Sequence, residues 1–594
     1  MSERRSKSDR DTENSLISGA SALVRALEEE GVEEIFGIPG GAILPFYDAL
    51  FRSRRIRHVL TRHEQAAGYA ATGYAAVSGR VGVCVATSGP GATNLITPIA
   101  DAFMDSVPVV AITGQVPTDA IGTQAFQETD VIGITKPITK WNHQPRTVRE
   151  IPEVVRDAFD TARSGRPGPV LIDIPKDVLQ KEDRIEGALR APPEPRSSTE
   201  PPSTQGINHA AELLLRARRP VLYVGGGVVR ASAQKELERL AELTNAPVTT
   251  TLTARGAFPD SQPRCLGMPG MHGSVAAVYA LQRSDLLVAL GTRFDDRVTG
   301  ELSSFAPKAR VVHADIDPDE IGRKRAPDVG LLGDVANTLR ELLDALRKLC
   351  NQGDAFYLDS WWEELDGVRS RFPLGWEEPL DGKLSPQHVI KRLGELARQD
   401  TIFTLGVGQH QMWAAQLLSL DERRRLITSG GLGAMGYAIP AGIGAKLASP
   451  HRTVWVIDGD GCLQMTGMEL ITCVLEKIPV KVAVIDNDSL GMVRQWQNLF
   501  YGERYSDTDL YTHQGQGLRI AELAEAVGCV GIKCETPAEI DSVITRAEEI
   551  VDRPVVIDFV VSKQEMVWPM VEPGKPNDEI MVSREFRPRF DAEE

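Results

Sequence analysis

The chain has 594 residues, 42% of them hydrophobic and 25% charged, with a formal net charge of -16. That length exceeds what one hydrophobic core organises, so several domains are expected. The acidic balance excludes binding to nucleic-acid phosphates or anionic lipid through bulk charge, and no apolar run is long enough to span a bilayer, so neither nucleic acid nor membrane is an expected partner.

Residues 1–14 mix acids and bases without the apolar core of a secretory signal and read as a disordered tail. The seven cysteines are odd in number and scattered, which suits a reducing compartment, so a cytoplasmic location is expected. From there on, short β-branched runs alternate with helical stretches: VGVCVAT (81–87), VPVVAITG (107–114), PVLIDIP (169–175), PVLYVGGG (220–227), DLLVALG (285–291), ARVVHADID (309–317), TVWVIDGDG (453–461), VKVAVIDND (480–488) and RPVVIDFVV (553–561). Near-continuous apolar strands of this kind belong to parallel sheets covered by helices on both faces, so the fold class is α/β. The Pro- and Ser-rich segment within 186–206 and the charged segment 351–383 read as linkers, which leaves three doubly wound parallel-sheet domains at 15–185, 207–350 and 384–565 and a C-terminal tail at 566–594. The first and third share a rhythm of strand, glycine turn, helix and Pro-led strand, in VATSGPGATNLITPIADAFMDSVPVVAIT and VIDGDGCLQMTGMELITCVLEKIPVKVAV. A duplicated domain and the common cadence of doubly wound folds both account for this.

Three constellations carry candidate chemistry. In RHEQAAGYAATGYAAVSG (62–79), Ala, Gly and Tyr surround nearly the whole helix, so Glu64 opens a helix expected to be closely buried; desolvation there favours a protonated carboxyl, although a first-turn acid is also an ordinary helix feature. Gly225-Gly226-Gly227, the RFDDR after Gly291 (293–297) and the ADIDP around Asp315 (314–318) each follow a strand, where a dinucleotide could lie; taken without further context, turns and a solvated charge cluster are the more economical explanation. Gly459-Asp460-Gly461 follows a strand, and Asn487 follows the next one. Asp460 and the Asn487 carbonyl are hard oxygen ligands suited to Mg²⁺. The glycines admit a phosphate, and a helix expected to begin near Gln464 offers N–H groups to it. Alone, the tripeptide could be a mere tight turn.

The Asp460 and Asn487 pair resembles the signature of thiamine-diphosphate enzymes, except that Asp486 stands where the signature has its first Asn. Longer strings, among them FGIPGGAILPFYDAL (36–50), TGQVPTDAIGTQAFQETD (113–130), GTRFDDRVTG (291–300), GVGQHQMWAAQ (406–416), SGGLGAMGYAIP (429–440) and GMVRQWQNLFY (491–501), are similar to the acetolactate (acetohydroxyacid) synthase family, most closely to bacterial biosynthetic large subunits. This resemblance implies pyrimidine-binding, central FAD-type and diphosphate-binding domains. It implies an enzyme that decarboxylates pyruvate on thiamine diphosphate and joins the two-carbon unit to pyruvate or 2-oxobutanoate, for branched-chain amino acid biosynthesis. Glu64 would touch the aminopyrimidine ring, Gln127 would approach substrate or cofactor, and Lys176 would stand at the site entrance. Asp460, Asn487 and the Ser489 carbonyl would hold Mg²⁺. Val407, Gly408, Gln409, His410, Gly459, Gly461, Gly491, Met492 and Val493 would line the cofactor site. Gly433 and the prop Met435 would hold the thiamine, and Met492 and Trp496 would shape the acceptor pocket. Gly225, Gly226, Gly227, Gly291, Arg293 and Asp315 would bind an FAD without net redox role. A homodimer or homotetramer is implied, with Glu64 and the diphosphate site on different subunits and a small regulatory subunit as possible partner. Other thiamine-diphosphate enzymes, such as a pyruvate oxidase or glyoxylate carboligase, are the alternative.

Overall fold

The computed structural model describes residues 16–185, 201–350, 355–421, 425–511, 517–588 and 590. Strands such as Val109–Gln115, Leu286–Leu290, Val454–Gly459 and Lys481–Asp486 are buried at every position, as apolar runs covered on both faces require. They assemble into three six-stranded sheets, and every described pairing within those sheets is parallel. The expected α/β class with three doubly wound domains is what the chain adopts.

Numbered by chain order within each domain, the N-terminal and C-terminal sheets both run 2-1-3-4-6-5, and the central sheet runs 3-2-1-4-5-6. The two strings that look alike occupy the third strand, its following helices and the fourth strand of their sheets. Common cadence does not require an identical strand order that the central domain lacks, so duplication explains the likeness better. The central order is that of dinucleotide-binding sheets, with its switch point between strands Pro220–Val224 and Leu286–Leu290.

Equivalent helices of the two like domains, Glu64–Ser78 and Ala438–Ala448, cross in direct backbone contact. A Cβ on Gly73 would lie 2.1 Å from the Ala441 carbonyl oxygen, and one on Gly444 would lie 1.9 Å from that of Ala70. These contacts run antiparallel. Small residues on both helices permit the approach, and one apolar core, including Ala67, Ala70, Ile439 and Ile443, spans both domains.

Three boundaries differ from the sequence reading. The central domain starts with a helix at Thr204, capped by the Ser203 hydroxyl, which accepts from the Gly206 amide at 3.1 Å. Segment 351–383 is no mere linker: helix Asp359–Arg371 buries Trp361 and Leu365 in the central core, and the Trp361 indole donates to the Pro220 carbonyl at 3.2 Å. Its many charges face outward and mask the few anchoring side chains. Nor is 566–594 a loose tail over its described part, because Val567, Met570, Val571, Ile580 and Met581 are buried and the Val571 amide donates to the Met271 carbonyl at 2.7 Å. Residues 1–14 and most of 186–206 lie outside the described residues.

Gly444→Val places a branched side chain against backbone at the crossing and is expected to cost about 3 kcal/mol or more. Gly367→Ala, inside a helix with open space around it, is expected to stabilise the protein by about 0.4–1 kcal/mol. Denaturant unfolding of the two variants checks both.

Candidate active site

At the carboxyl end of the C-terminal sheet, the Ser489 amide donates to Asp460 Oδ2 and to Asn487 Oδ1, each at 3.1 Å. One N–H thus gathers the two proposed oxygen ligands. The Ser489 carbonyl accepts from the Gly491 amide at 2.8 Å, which leaves it a second lone pair. Asn487 Nδ2 donates to Gln409 Oε1 at 3.3 Å, and Gln409 Nε2 donates to Gln495 Oε1 at 2.9 Å and to the Glu565 carbonyl at 3.0 Å. Gly491 has no room for a side chain, since a Cβ there would lie 2.1 Å from Gln409 Oε1. The expected helix after the Gly-Asp-Gly turn begins at Asp460 itself, not near Gln464, because Gly459 in an extended conformation serves as its N-cap.

The electrostatics of this end ask for a cation. Asp460 is buried and its carboxyl lies well above the ordinary range, first through desolvation and then through the charge of Asp486. Asp486, the departure from the thiamine signature, is raised by burial too, and Asp558 behind it is pushed up to about 8, by burial and then by Asp486. The His410 ring is buried, with its pKa lowered to about 3, and its Nε2 makes no hydrogen bond within the protein; nor does Asp458 Oδ2. A divalent ion with an anionic ligand fits this donor set, since buried carboxylates need a counter-charge and buried ring nitrogens need a partner.

A cavity of about 860 Å³ opens beside this centre. Val407 and Gly408 line it from the turn before helix Gln409–Leu417, Gly433 and Met435 from the glycine-rich loop, and Met492, Val493 and Trp496 from helix Gly491–Phe500. The Trp496 Nε1 is buried without a hydrogen-bond partner in the protein. The same cavity continues to the central sheet, where Gly225, Gly226, Gly227, Gly291, Arg293 and Asp315 line it. Here the turns after the first and fourth strands stack: the Gly227 amide donates to the Gly291 carbonyl at 3.1 Å, and a Cβ on Gly225 would lie 2.1 Å from that same oxygen. Backbone packed this closely leaves an open crevice at the switch point, where such sheets take ligands. The Asp315 carboxyl, at the end of the fifth strand, is raised to about 6 by burial.

Glu64, Gln127 and Lys176 are gathered elsewhere, at the carboxyl edge of the N-terminal sheet, and none of them lines the cavity. Glu64 is only half-buried; close burial holds for the helix body, Ala66 to Ala75, and not for the residue that opens it at the sheet rim. Its Oε2 accepts from Asn94 Nδ2 at 2.9 Å, a partner the sequence reading missed. Gln127, held at a φ of 62°, packs its backbone against Gly89, and Lys176 begins the helix after strand Val170–Pro175.

Sequence reasoning also missed Asp101 and Asp105. They are buried acids four residues apart on the apolar helix around Ile96–Met104. Asp105 reaches across to the glycine-rich loop of the C-terminal domain, accepting from the Gly430 amide at 2.7 Å and from the Gly431 amide at 2.8 Å. The signal was present in IADAFMDS, where two acids at helical spacing interrupt an otherwise apolar face.

Comparison with known proteins agrees with this architecture. The thiamine pyrophosphate enzyme family matches in three parts: its N-terminal TPP binding domain at residues 17–134, its central domain at 207–342 and its C-terminal TPP binding domain at 406–559. The chain is 59% identical over 576 residues to the acetolactate synthase large subunit of Mycobacterium tuberculosis, covering 97% of this chain and 93% of that one. It is 52% identical over 580 residues to the acetolactate synthase large subunit of Corynebacterium glutamicum, covering 97% and 92%, and 44% identical over 577 residues to that of Cyanidium caldarium, covering 96% and 97%. With its three parallel-sheet domains in the same order as the matched parts, the chain belongs to the acetolactate synthase large-subunit family of thiamine pyrophosphate enzymes.

Proposed function

We propose that this chain is the catalytic subunit of an acetolactate synthase that takes pyruvate as donor and pyruvate or 2-oxobutanoate as acceptor, with thiamine diphosphate, Mg²⁺ and FAD as cofactors. The observation that carries the reading is the single cavity joining the Asp460 and Asn487 oxygens' side of the C-terminal sheet, the Met435 loop and Trp496 to the glycine crevice of the central sheet. Asp460, Asn487 and the Ser489 carbonyl would hold Mg²⁺. Gln409, His410, Gly459, Gly461 and Gly491 would surround the anionic end, with the His410 ring turned so that Nδ1 lies by Gly459 and Nε2 faces Asp458. Gly433 and Met435 would seat the thiamine rings. Thiamine diphosphate, when bound, supplies the electron sink for decarboxylation, so the protein's task is to orient, to exclude water and to move protons.

Glu64 would hold a proton at the aminopyrimidine nitrogen, braced by Asn94. Gln127 and Lys176, at the same rim, would meet the 2-oxo acid. Because Glu64 lies outside the cavity of its own chain, a second copy would supply it, and a dimer is the smallest active unit in this reading. The chain's membership among large subunits supports a small regulatory partner. Gly225, Gly226, Gly227, Gly291, Arg293 and Asp315 would hold FAD without a net redox step.

A product assay with pyruvate, thiamine diphosphate, Mg²⁺ and FAD tests the reading: acetolactate forms without uptake of oxygen or reduction of a quinone, and adding 2-oxobutanoate diverts product to 2-aceto-2-hydroxybutanoate. Oxidative products instead would move the chain to another activity. Glu64→Gln is expected to abolish carboligation while thiamine diphosphate still binds, measured by turnover alongside fluorescence titration. Ordinary turnover would remove Glu64 from its role. Trp496→Leu is expected to keep acetolactate formation and lose the preference for 2-oxobutanoate. An apolar wall against one methyl group is worth about 1–3 kcal/mol, so the product ratio in competition should fall by roughly 10- to 200-fold at most.

A further inference from the structure

At the Asp105 carboxylate all three domains meet around a single charged group. It belongs to the N-terminal domain. Its two oxygens accept from Gly430 and Gly431 of the C-terminal domain at 2.7 and 2.8 Å. Beside it, Asp101 accepts from the Ser429 hydroxyl, which in turn accepts from the Ala434 amide at 2.8 Å. These bonds fix both ends of the loop that carries Gly433 and leads into Met435.

From the central domain come two arginines. Arg230 donates to the Asp105 backbone carbonyl. A Cβ placed on Gly431 would lie 2.9 Å from Asp105 Oδ1 and 3.1 Å from Arg293 Nη2, so the carboxylate and that guanidinium flank one glycine. Both arginines line the cavity beside the Gly225–Gly227 crevice, and so does Asp105 itself. Burial raises the Asp105 carboxyl above the ordinary range, and the Gly430 amide and then the two arginines oppose that rise. The charge of the carboxylate, its hold on the loop amides and the placing of the arginines are therefore interdependent.

We infer that Asp105 is a positioning residue that couples the two halves of the cavity: a dinucleotide diphosphate settling beside Arg230 and Arg293 redistributes their pull on the carboxylate and thereby sets the loop on which the thiamine rings rest. The inference rests on the proposed flavin and thiamine sites, and it gives a flavin without redox work a physical task. Coupling of this kind is reciprocal, since each ligand must shift the affinity of the other by one and the same factor.

Titration of the cofactor-free chain with thiamine diphosphate and Mg²⁺, followed by tryptophan fluorescence in the presence and absence of FAD, tests it. In the parent protein FAD is expected to tighten thiamine diphosphate about fivefold or more, and thiamine diphosphate to tighten FAD equally. Asp105→Asn keeps the size of the side chain but offers a single acceptor oxygen to two amides, so it is expected to bind each cofactor alone and to lose the linkage. Should that variant fail to fold, hydrogen exchange in the parent decides: FAD alone slows exchange of the amides in 429–435 if the coupling exists. Independent binding of both cofactors in the parent, an unchanged linkage in Asp105→Asn, or exchange in 429–435 indifferent to FAD would overturn the coupling and leave the proposed activity standing. Failure of FAD to bind at all would instead remove the flavin site, and this inference with it.

Discussion

The crossing of helices Glu64–Ser78 and Ala438–Ala448 at Gly73 and Gly444 is the constraint on which the rest of the molecule depends. With carbonyl oxygens of one helix lying where a Cβ of the other would stand, the two backbones can neither slide nor tilt without collision. That contact locks the N-terminal sheet to the C-terminal one through a shared apolar core and fixes where their carboxyl edges point. The glycine-rich loop enters helix Ala438–Ala448 directly, so its path past Asp105 follows from the same contact.

A second constraint is electrostatic. The C-terminal sheet brings Asp460, Asp486 and Asp558 together at its carboxyl end, and of the three only Asp558 has a cation, Lys533, named against its rise. Such a cluster opposes folding unless its members stay protonated or a cation enters. A replacement of amide by acid at 486 deepens this demand, because it sets one more carboxyl beside the ligand position. Around the central sheet Arg166, Arg230 and Arg293 line the cavity together with Asp105, Asp315 and Glu320, so arginines stand there among acids in a protein whose overall charge is -16.

Much of this was legible in the residues, for reasons that differ from element to element. Strands buried on both faces announce themselves as apolar runs, so the three sheets and the ends of their strands could be read directly. Glycine turns at those ends, 225–227 and 459–461, are local backbone features and therefore visible. What stayed hidden depends on contacts distant in sequence. Helix Asp359–Arg371 looks like charged linker because just two of its side chains, Trp361 and Leu365, are fully buried, and the strap around Met570 and Met581 has segments too short to show a period. The role of Asp105 depends on amides more than 300 residues away, which no local pattern encodes. Burial of Glu64 was overread because the apolar helix it opens was treated as one environment, whereas its first turn stands at a rim.

The antiparallel sense of the helix crossing also bears on why Glu64 and the Asp460 cavity are apart in one chain. Gly73 meets Ala441 and Ala70 meets Gly444, so advancing along one helix retreats along the other. At about 1.5 Å per residue, Glu64 and the start of the helix that follows the Met435 loop stand roughly 18 Å apart along the common axis, at opposite ends of the contact. If Gly433 and Met435 hold the thiamine rings as proposed, that separation would keep the same chain's Glu64 from meeting them. In the proposed reading, where one carboxylate from the N-terminal domain and one metal centre from the C-terminal domain serve the same ring, this helix geometry is the reason a second copy of the chain would supply the carboxylate.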